Sequence, residues 1–297
     1  MRGNMMPDAA FFEKLSRLRL AMGHRASMNL MGNRKSMQKG SSTEFSDFRE
    51  YMPGDDIRRI DWNAYGRLDR FYVKEYMEEK EAVISILIDT SASMEYGEKK
   101  KSELCLTLAA ALGYLGISDM DRVVLYDMRN MQQPFAAGGK RRALPSMIQW
   151  LEQRSFEGQA DIWESVCKLP LKASGVTILI SDFLQEAFLD EEQETMRKIL
   201  RFLDYRKQKA VVLHVLAKEE LSVDITGTRN LIDMEDKSTL RLTLDAGSIG
   251  IYERALKSFL EGMKRSCAKG GAFYGLCDTG TDIYQLIFQD LRMLYDI

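Results

Sequence analysis

From about Ala82 onward, apolar runs rich in β-branched residues alternate with segments of helical period, and this alternation narrows the possible folds more than any other feature of the chain. Five runs stand out: Val83 to Ile88, Val123 to Tyr126, Val176 to Ile180, Ala210 to Leu216 and Ala272 to Leu276. They are apolar nearly throughout instead of alternating, and most suit strands covered on both faces. Between them lie stripes at helical spacing: Leu104, Leu108, Ala111, Leu112 and Leu115; Met196, Ile199, Leu200 and Leu203; Tyr252, Leu256, Phe259, Leu260 and Met263. These stripes read as packing surfaces with no cofactor role. The expectation is an α/β fold with a doubly wound, mostly parallel sheet. One interruption, Thr228 to Met234 and Leu240 to Leu244 around Glu235-Asp236-Lys237-Ser238, reads as a β-hairpin insertion. Its alternating Leu240, Leu242 and Leu244 are expected to cover the core with one face.

At 297 residues the chain can bury one large core and carry an appended segment. A net charge of -2, with 29% charged and 45% hydrophobic residues, is the balance of a folded globular protein and gives no global attraction to phosphate. Cys105, Cys167, Cys267 and Cys277 are too widely spaced to suggest a disulfide framework or a zinc motif. His24 and His214 are the two histidines, and His214 lies in an apolar run, where a packed core imidazole is expected in preference to a catalytic base. The block Ala9 to Phe12 is short for a signal peptide, and no run has the length of a membrane span. A cytoplasmic protein is the expectation.

Ahead of Ala82 the texture changes. Residues 1–40 form a basic, Met-rich arm, with eight Lys or Arg against Asp8 and Glu13 up to Lys39. It reads either as a contact for an acidic partner or as a solvated helix and loop. Residues 41–81 mix charges with aromatics such as Phe45, Tyr51, Trp62 and Tyr72, too apolar for a linker, and are expected to pack on a core spanning 82–297. A turn is expected at Pro53-Gly54.

The chemistry concentrates in Asp89-Thr90-Ser91-Ala92-Ser93, directly after the run Val83 to Ile88. In open α/β sheets, ligand crevices form at the carboxyl ends of strands. Carboxylate and hydroxyl oxygens suit hard divalent cations such as Mg²⁺. The same residues also suit an ion-free strand end followed by a helix cap. Ser181-Asp182 follows the run Val176 to Ile180 and could bring a second carboxylate to the same crevice, while Asp161 opens another helix and is either a cap or an outlying donor.

The Asp89 to Ser93 text resembles the metal-ion-dependent adhesion site of von Willebrand factor A domains, with Asp182 in the place of their later aspartate. Glu44-Phe45, Phe48-Arg49-Glu50-Tyr51, Pro53-Gly54-Asp55-Asp56-Ile57-Arg58, Ile60-Asp61-Trp62 and Tyr72-Val73-Lys74-Glu75-Tyr76 resemble the bacterial family known as domain of unknown function 58. The resemblance implies a von Willebrand factor A-like core and association with AAA+ ATPases of the MoxR type. It also implies a Mg²⁺ (or Mn²⁺ or Ca²⁺) site in which Ser91 and Ser93 bind directly and Asp89 and Asp182 bind directly or through water. One ligand departs from the pattern, because Ala160 stands where these sites place a threonine.

The expected function is therefore a non-enzymatic, cation-assisted protein-interaction module. A metal-dependent hydrolase on the same sheet is the first alternative, but no phosphate-binding Gly-rich loop is present and Gly138-Gly139-Lys140 lacks the spacing. Nucleic-acid binding through the arm is the second, and it is not expected because the arm offers methionines where stacking aromatics would be needed.

Overall fold

The computed structural model describes residues 9–16, 19–20, 44–77, 83–137, 143–171, 174–190, 192–223, 227–234 and 238–296. The chain divides into two compact units, one made of Met1–Asn29 with Ala82–Ile297, the other of Leu30–Glu81. In chain order the strands are β1 (Arg19–Leu20), β2 (Glu44–Glu50), β3 (Tyr72–Met77), β4 (Val83–Ile88), β5 (Arg122–Asp127), β6 (Asn130–Ala137), β7 (Gly175–Ser181), β8 (Gln208–Leu216), β9 (Gly227–Ile232), β10 (Thr239–Leu244), β11 (Phe273–Asp278) and β12 (Tyr295–Asp296).

Among the described residues the larger unit is built on a six-stranded sheet ordered β11-β8-β7-β4-β5-β6, parallel except for β6, which pairs antiparallel with β5. Side chains alternate across β4, so Ile84, Ile86 and Ile88 enter one core layer while Leu87 enters the other. The first layer is closed by the helix Lys101–Ser118, which leaves β4 for β5 on one side of the sheet order. The second is closed by the helix Glu194–Tyr205, which leaves β7 for β8 on the other side, through Met196, Ile199, Leu200 and Leu203. Chain direction thus reverses between β4 and β7. That is the topological switch point, where adjacent connections diverge and leave a crevice at the carboxyl ends. The sheet is therefore doubly wound, as its apolar runs require.

Strand contact at the switch point is close. A side chain at Gly175 would place its Cβ 2.2 Å from the Val83 carbonyl oxygen, so glycine is needed where β7 begins beside β4.

Two expectations change. The hairpin β9–β10 exists as an antiparallel pair, but it forms its own sheet, with Leu240 59% and Leu242 39% exposed, so it does not cover the core. The third stripe packs at one end. In the helix Ala246–Lys269, Met263 and Cys267 are buried while Tyr252 is exposed, because the helix reaches the second layer through its carboxyl-terminal half.

Of the basic arm, residues 9–16 and 19–20 are described and the rest lies outside the described residues. The helix Ala9–Leu15 buries Phe11 and Leu15 in the first core layer, and Lys14 sits 4.3 Å from the centre of the Tyr284 ring. In the smaller unit β2 and β3 pair antiparallel. The turn falls at Pro53-Gly54, with Gly54 at a φ of 108°, and Asp55 fastens it by accepting from the Met52 N–H and from Arg49, each at 2.8 Å. Asp61 caps the helix Trp62–Leu68, and Tyr65 stacks on Phe71 with ring centres 4.5 Å apart. The charges of this motif thus pair within the unit.

Candidate functional site: the carboxyl ends of β4 and β7

Three loops meet above the switch point. Residues 89–95 follow β4, residues 182–185 follow β7, and residues 157–161 run between two helices. The Ala92 N–H donates to the Gly158 carbonyl at 2.9 Å and the Glu157 N–H to the Thr90 carbonyl at 3.1 Å. Gln185 Nε2 donates to the Ala160 carbonyl at 2.7 Å. Ala160 therefore lies in the middle loop where a threonine ligand would be aligned, buried and without a hydroxyl to offer.

Asp89 lies at the floor of the crevice and is fully buried. Its Oδ1 accepts from the Ser91 N–H at 2.9 Å, and its Oδ2 accepts from the Ser181 hydroxyl at 2.5 Å. Donors from the two strand exits thus converge. Above Asp89 stands Ser91, 1% exposed, and its Oγ is 3.1 Å from the Oγ of half-buried Ser93. The result is a graded set of oxygens, here called the shaft: a fully buried carboxylate, a buried hydroxyl and a half-buried one. Thr90 is turned aside, its hydroxyl donating to Asp127 at 2.5 Å.

Burial, and then the neighbouring Asp182 carboxylate, push Asp89 up to about 6, against the hydrogen bonds from Ser181 and Ser91. An anion so placed is held at a cost while no cation faces it. Asp89→Asn is accordingly expected to stabilise the chelator-treated protein by about 1–3 kcal/mol at neutral pH, the amide giving up one acceptor but also the charge. The native state takes its proton near pH 6 and the unfolded chain near 3.8, so the wild type gains stability as pH falls through that window and closes the gap. Urea unfolding of both proteins at neutral and mildly acidic pH reads this directly. A variant less stable than wild type at neutral pH would contradict it.

Asp182 is also buried, but it is already engaged: Lys101 Nζ lies 2.7 Å from its Oδ2, and the Leu184 N–H donates to its Oδ1 at 3.1 Å. The same ammonium donates to Glu220 Oε1 at 2.7 Å. Burial works against the Lys101 charge, yet Asp182 and Glu220 outweigh it and hold the ammonium above the ordinary lysine value. Asp161 takes the capping role. It is exposed, and its Oδ1 accepts from the Glu164 N–H at 2.8 Å at the start of the helix Ile162–Cys167.

The donors of Asp89, Ser91 and Ser93 fit a hard divalent cation, which keeps several waters and needs few protein oxygens. Ala160 has no side-chain oxygen to add, Asp161 is engaged as a cap, and Asp182 shares its Oδ2 with an ammonium. Among the described residues no three His, Cys, Asp or Glu side chains form a metal-holding group, so an ion here would rest on hydroxyls and water.

Lys101 and Glu220 are the site residues that the sequence did not reveal. One signal was available. Lys99, Lys100 and Lys101 crowd the amino-terminal end of a long helix, where the helix dipole disfavours positive charge, so one of them was due an anionic partner.

Fold and site together define a doubly wound α/β protein with an oxygen-rich crevice at its switch point. More particularly, the chain belongs to the family described as protein of unknown function DUF58, whose model matches residues 47–255. It is similar to an uncharacterized protein of Mycobacterium tuberculosis, 25% identical over 194 residues covering 62% of this chain and 60% of that one. The chain thus spans less than two thirds of that curated relative's length. Among solved structures it is similar to the conserved hypothetical protein BatB from Bacteroides thetaiotaomicron, at 17% identity and a TM-score of 0.41, covering 72% of this chain and 98% of that one. It is also similar to an aerotolerance-related membrane protein from Bacteroides fragilis, at 17% identity and a TM-score of 0.43, covering 71% of this chain and 99% of the other. Among the described residues of this chain no helix is long and apolar enough to cross a membrane.

Proposed function

We propose that this chain is a non-enzymatic protein-interaction module with a von Willebrand factor A-like core. In this reading it is an adaptor for a AAA+ ATPase of the MoxR type, acting in the cytoplasm without binding nucleic acid. The observation that carries the reading is the graded shaft formed by Asp89, Ser91 and Ser93 at the switch point, fully buried at Asp89 and half-buried at Ser93. A divalent cation, Mg²⁺ or else Mn²⁺ or Ca²⁺, would be held there by the two hydroxyls with Asp89 behind them and Asp182 acting through water. Its outward position would accept a carboxylate from the partner, so that docking depends on the ion.

The hydrolase alternative has less support. A nucleophilic carboxylate must be reachable, and Asp89 is enclosed with both oxygens hydrogen-bonded. Lys101, the lysine that engages Asp182, is held as an ammonium by two carboxylates and so is a poor proton acceptor.

The test is capture of an encoded-nearby AAA+ ATPase on immobilised protein, with Mg²⁺ and with chelator, for wild type and Asp89→Ala. Capture by the wild type in Mg²⁺, lost with chelator and lost in the variant, is the expected result. Equal capture under every condition would remove the cation from the mechanism, and no capture of the ATPase would remove the adaptor role.

A further inference from the structure

The crevice holds a positive charge of its own. Lys101 is fully buried, and its ammonium lies 2.7 Å from both Asp182 and Glu220, with the Tyr96 ring centre 5.9 Å away. This is not a side chain resting on a surface, because each neighbour is itself fixed. Asp182 is tied by the Leu184 N–H, while Glu220 Oε2 accepts from the Ala217 N–H at 2.7 Å. The loop that delivers Lys101 is latched in turn. The Glu98 N–H donates to Glu219 at 3.2 Å, and Gly97, at a φ of 101°, leaves no room for a Cβ, which would fall 2.7 Å from the Lys99 carbonyl oxygen.

We propose that Lys101 is the resident cation of this crevice, supplying at Asp182 the positive charge that a divalent ion would otherwise supply, so that any such ion competes with it. The competition clause rests on the cation-site reading above; the charge-balancing clause does not. The ammonium answers for Asp182 and Glu220, leaving Asp89 and the Ser91–Ser93 hydroxyl pair as what an ion can bind directly, with Asp182 reached only through water. Two positive charges cannot share Asp182 in a water-poor site without strong repulsion. Wild-type affinity for divalent ions is therefore low by construction, and removing the lysine hands Asp182 to the ion.

The experiment compares wild type, Lys101→Met, Asp182→Asn and the double variant, reading thermal unfolding in chelator and Mn²⁺ binding by titration calorimetry. In chelator, Lys101→Met is expected to lose about 10 °C in Tm, and the double variant to recover most of that loss because the unpaired carboxylate is gone. Mn²⁺ is expected to bind Lys101→Met about tenfold or more tighter than wild type. A double variant no more stable than Lys101→Met, with Mn²⁺ binding no tighter, overturns the inference while leaving any wild-type cation site standing. Recovery in chelator without Mn²⁺ binding to any variant instead overturns the cation reading and upholds Lys101 as the charge that balances Asp182. Should Lys101→Met fail to fold, folding of the double variant is the same recovery, and its failure to fold beside a folded Asp182→Asn overturns the inference.

Discussion

Lys101→Met is expected to lower the free energy of unfolding by about 3–5 kcal/mol in chelator, a large share of the total for a domain of ordinary stability. Methionine fills much of the same volume, so the loss is not a cavity effect. It comes from Asp182, left as a buried carboxylate with no charge opposite, and in smaller part from Glu220, which is nearer water. The loss should also persist at high salt, because screening reaches exposed pairs and not enclosed ones. Surface pairs on the same molecule give the scale: Glu164 with Lys168 and Glu194 with Lys198 are exposed i,i+4 pairs worth about 0.3–0.5 kcal/mol each. Urea unfolding with and without 1 M salt measures both aspects. A loss of surface-pair size, or one that salt abolishes, would mean that Lys101 is not enclosed as described.

The second large effect concerns acid. His214 is fully buried on β8, with its Nδ1 2.9 Å from the Tyr274 hydroxyl and the rings of Phe183, Phe259 and Tyr274 set edge-on around it. Burial drives its pKa down to about 4, against the pull of Asp182 and with the Lys101 charge adding to the depression. The unfolded chain takes its histidine proton near 6.5, the native state near 4, so this group leaves stability unchanged above 6.5 and lowers it as pH falls toward 4. Asp89 titrates in the opposite sense over part of that range, so the wild-type profile alone is partly cancelled. The difference between wild type and His214→Phe removes the cancellation. From pH 7 to pH 5 it should shift in favour of the variant by about 2 kcal/mol, read as urea midpoints at each pH. A difference that does not move with pH would show that the imidazole already titrates as a solvated group.

Much of this architecture is written locally. The runs at β4, β7 and β8 are mostly apolar, with Ser85, Thr177 and His214 as buried exceptions, because helices cover both faces, and such runs need no tertiary knowledge to be recognised. Their order also puts Asp89 and Asp182 on neighbouring strand exits, which is why the shaft was legible. β6 was not. Its Gln132, Gln133 and Pro134 occupy an exposed antiparallel edge strand, where polar residues and proline are tolerated and no apolar signal is required. The hairpin was seen but misjudged, since Leu240 and Leu242 alternate as core residues do while facing outward. Lys101 stayed hidden for a different reason. It is one of three consecutive lysines, and what distinguishes it is the meeting of Asp182 and Glu220, 81 and 119 residues away, around its ammonium. Sequence spacing carries no trace of such a meeting.

Paramagnetic broadening of the amide spectrum by Mn²⁺ examines the shaft between β4 and β7 residue by residue. Signals from residues 89–95 and 181–185 should fade first as Mn²⁺ is added, and should fade at lower Mn²⁺ in Lys101→Met than in wild type. Broadening that begins at exposed carboxylates elsewhere, with those two loops left sharp in both proteins, would contradict the account.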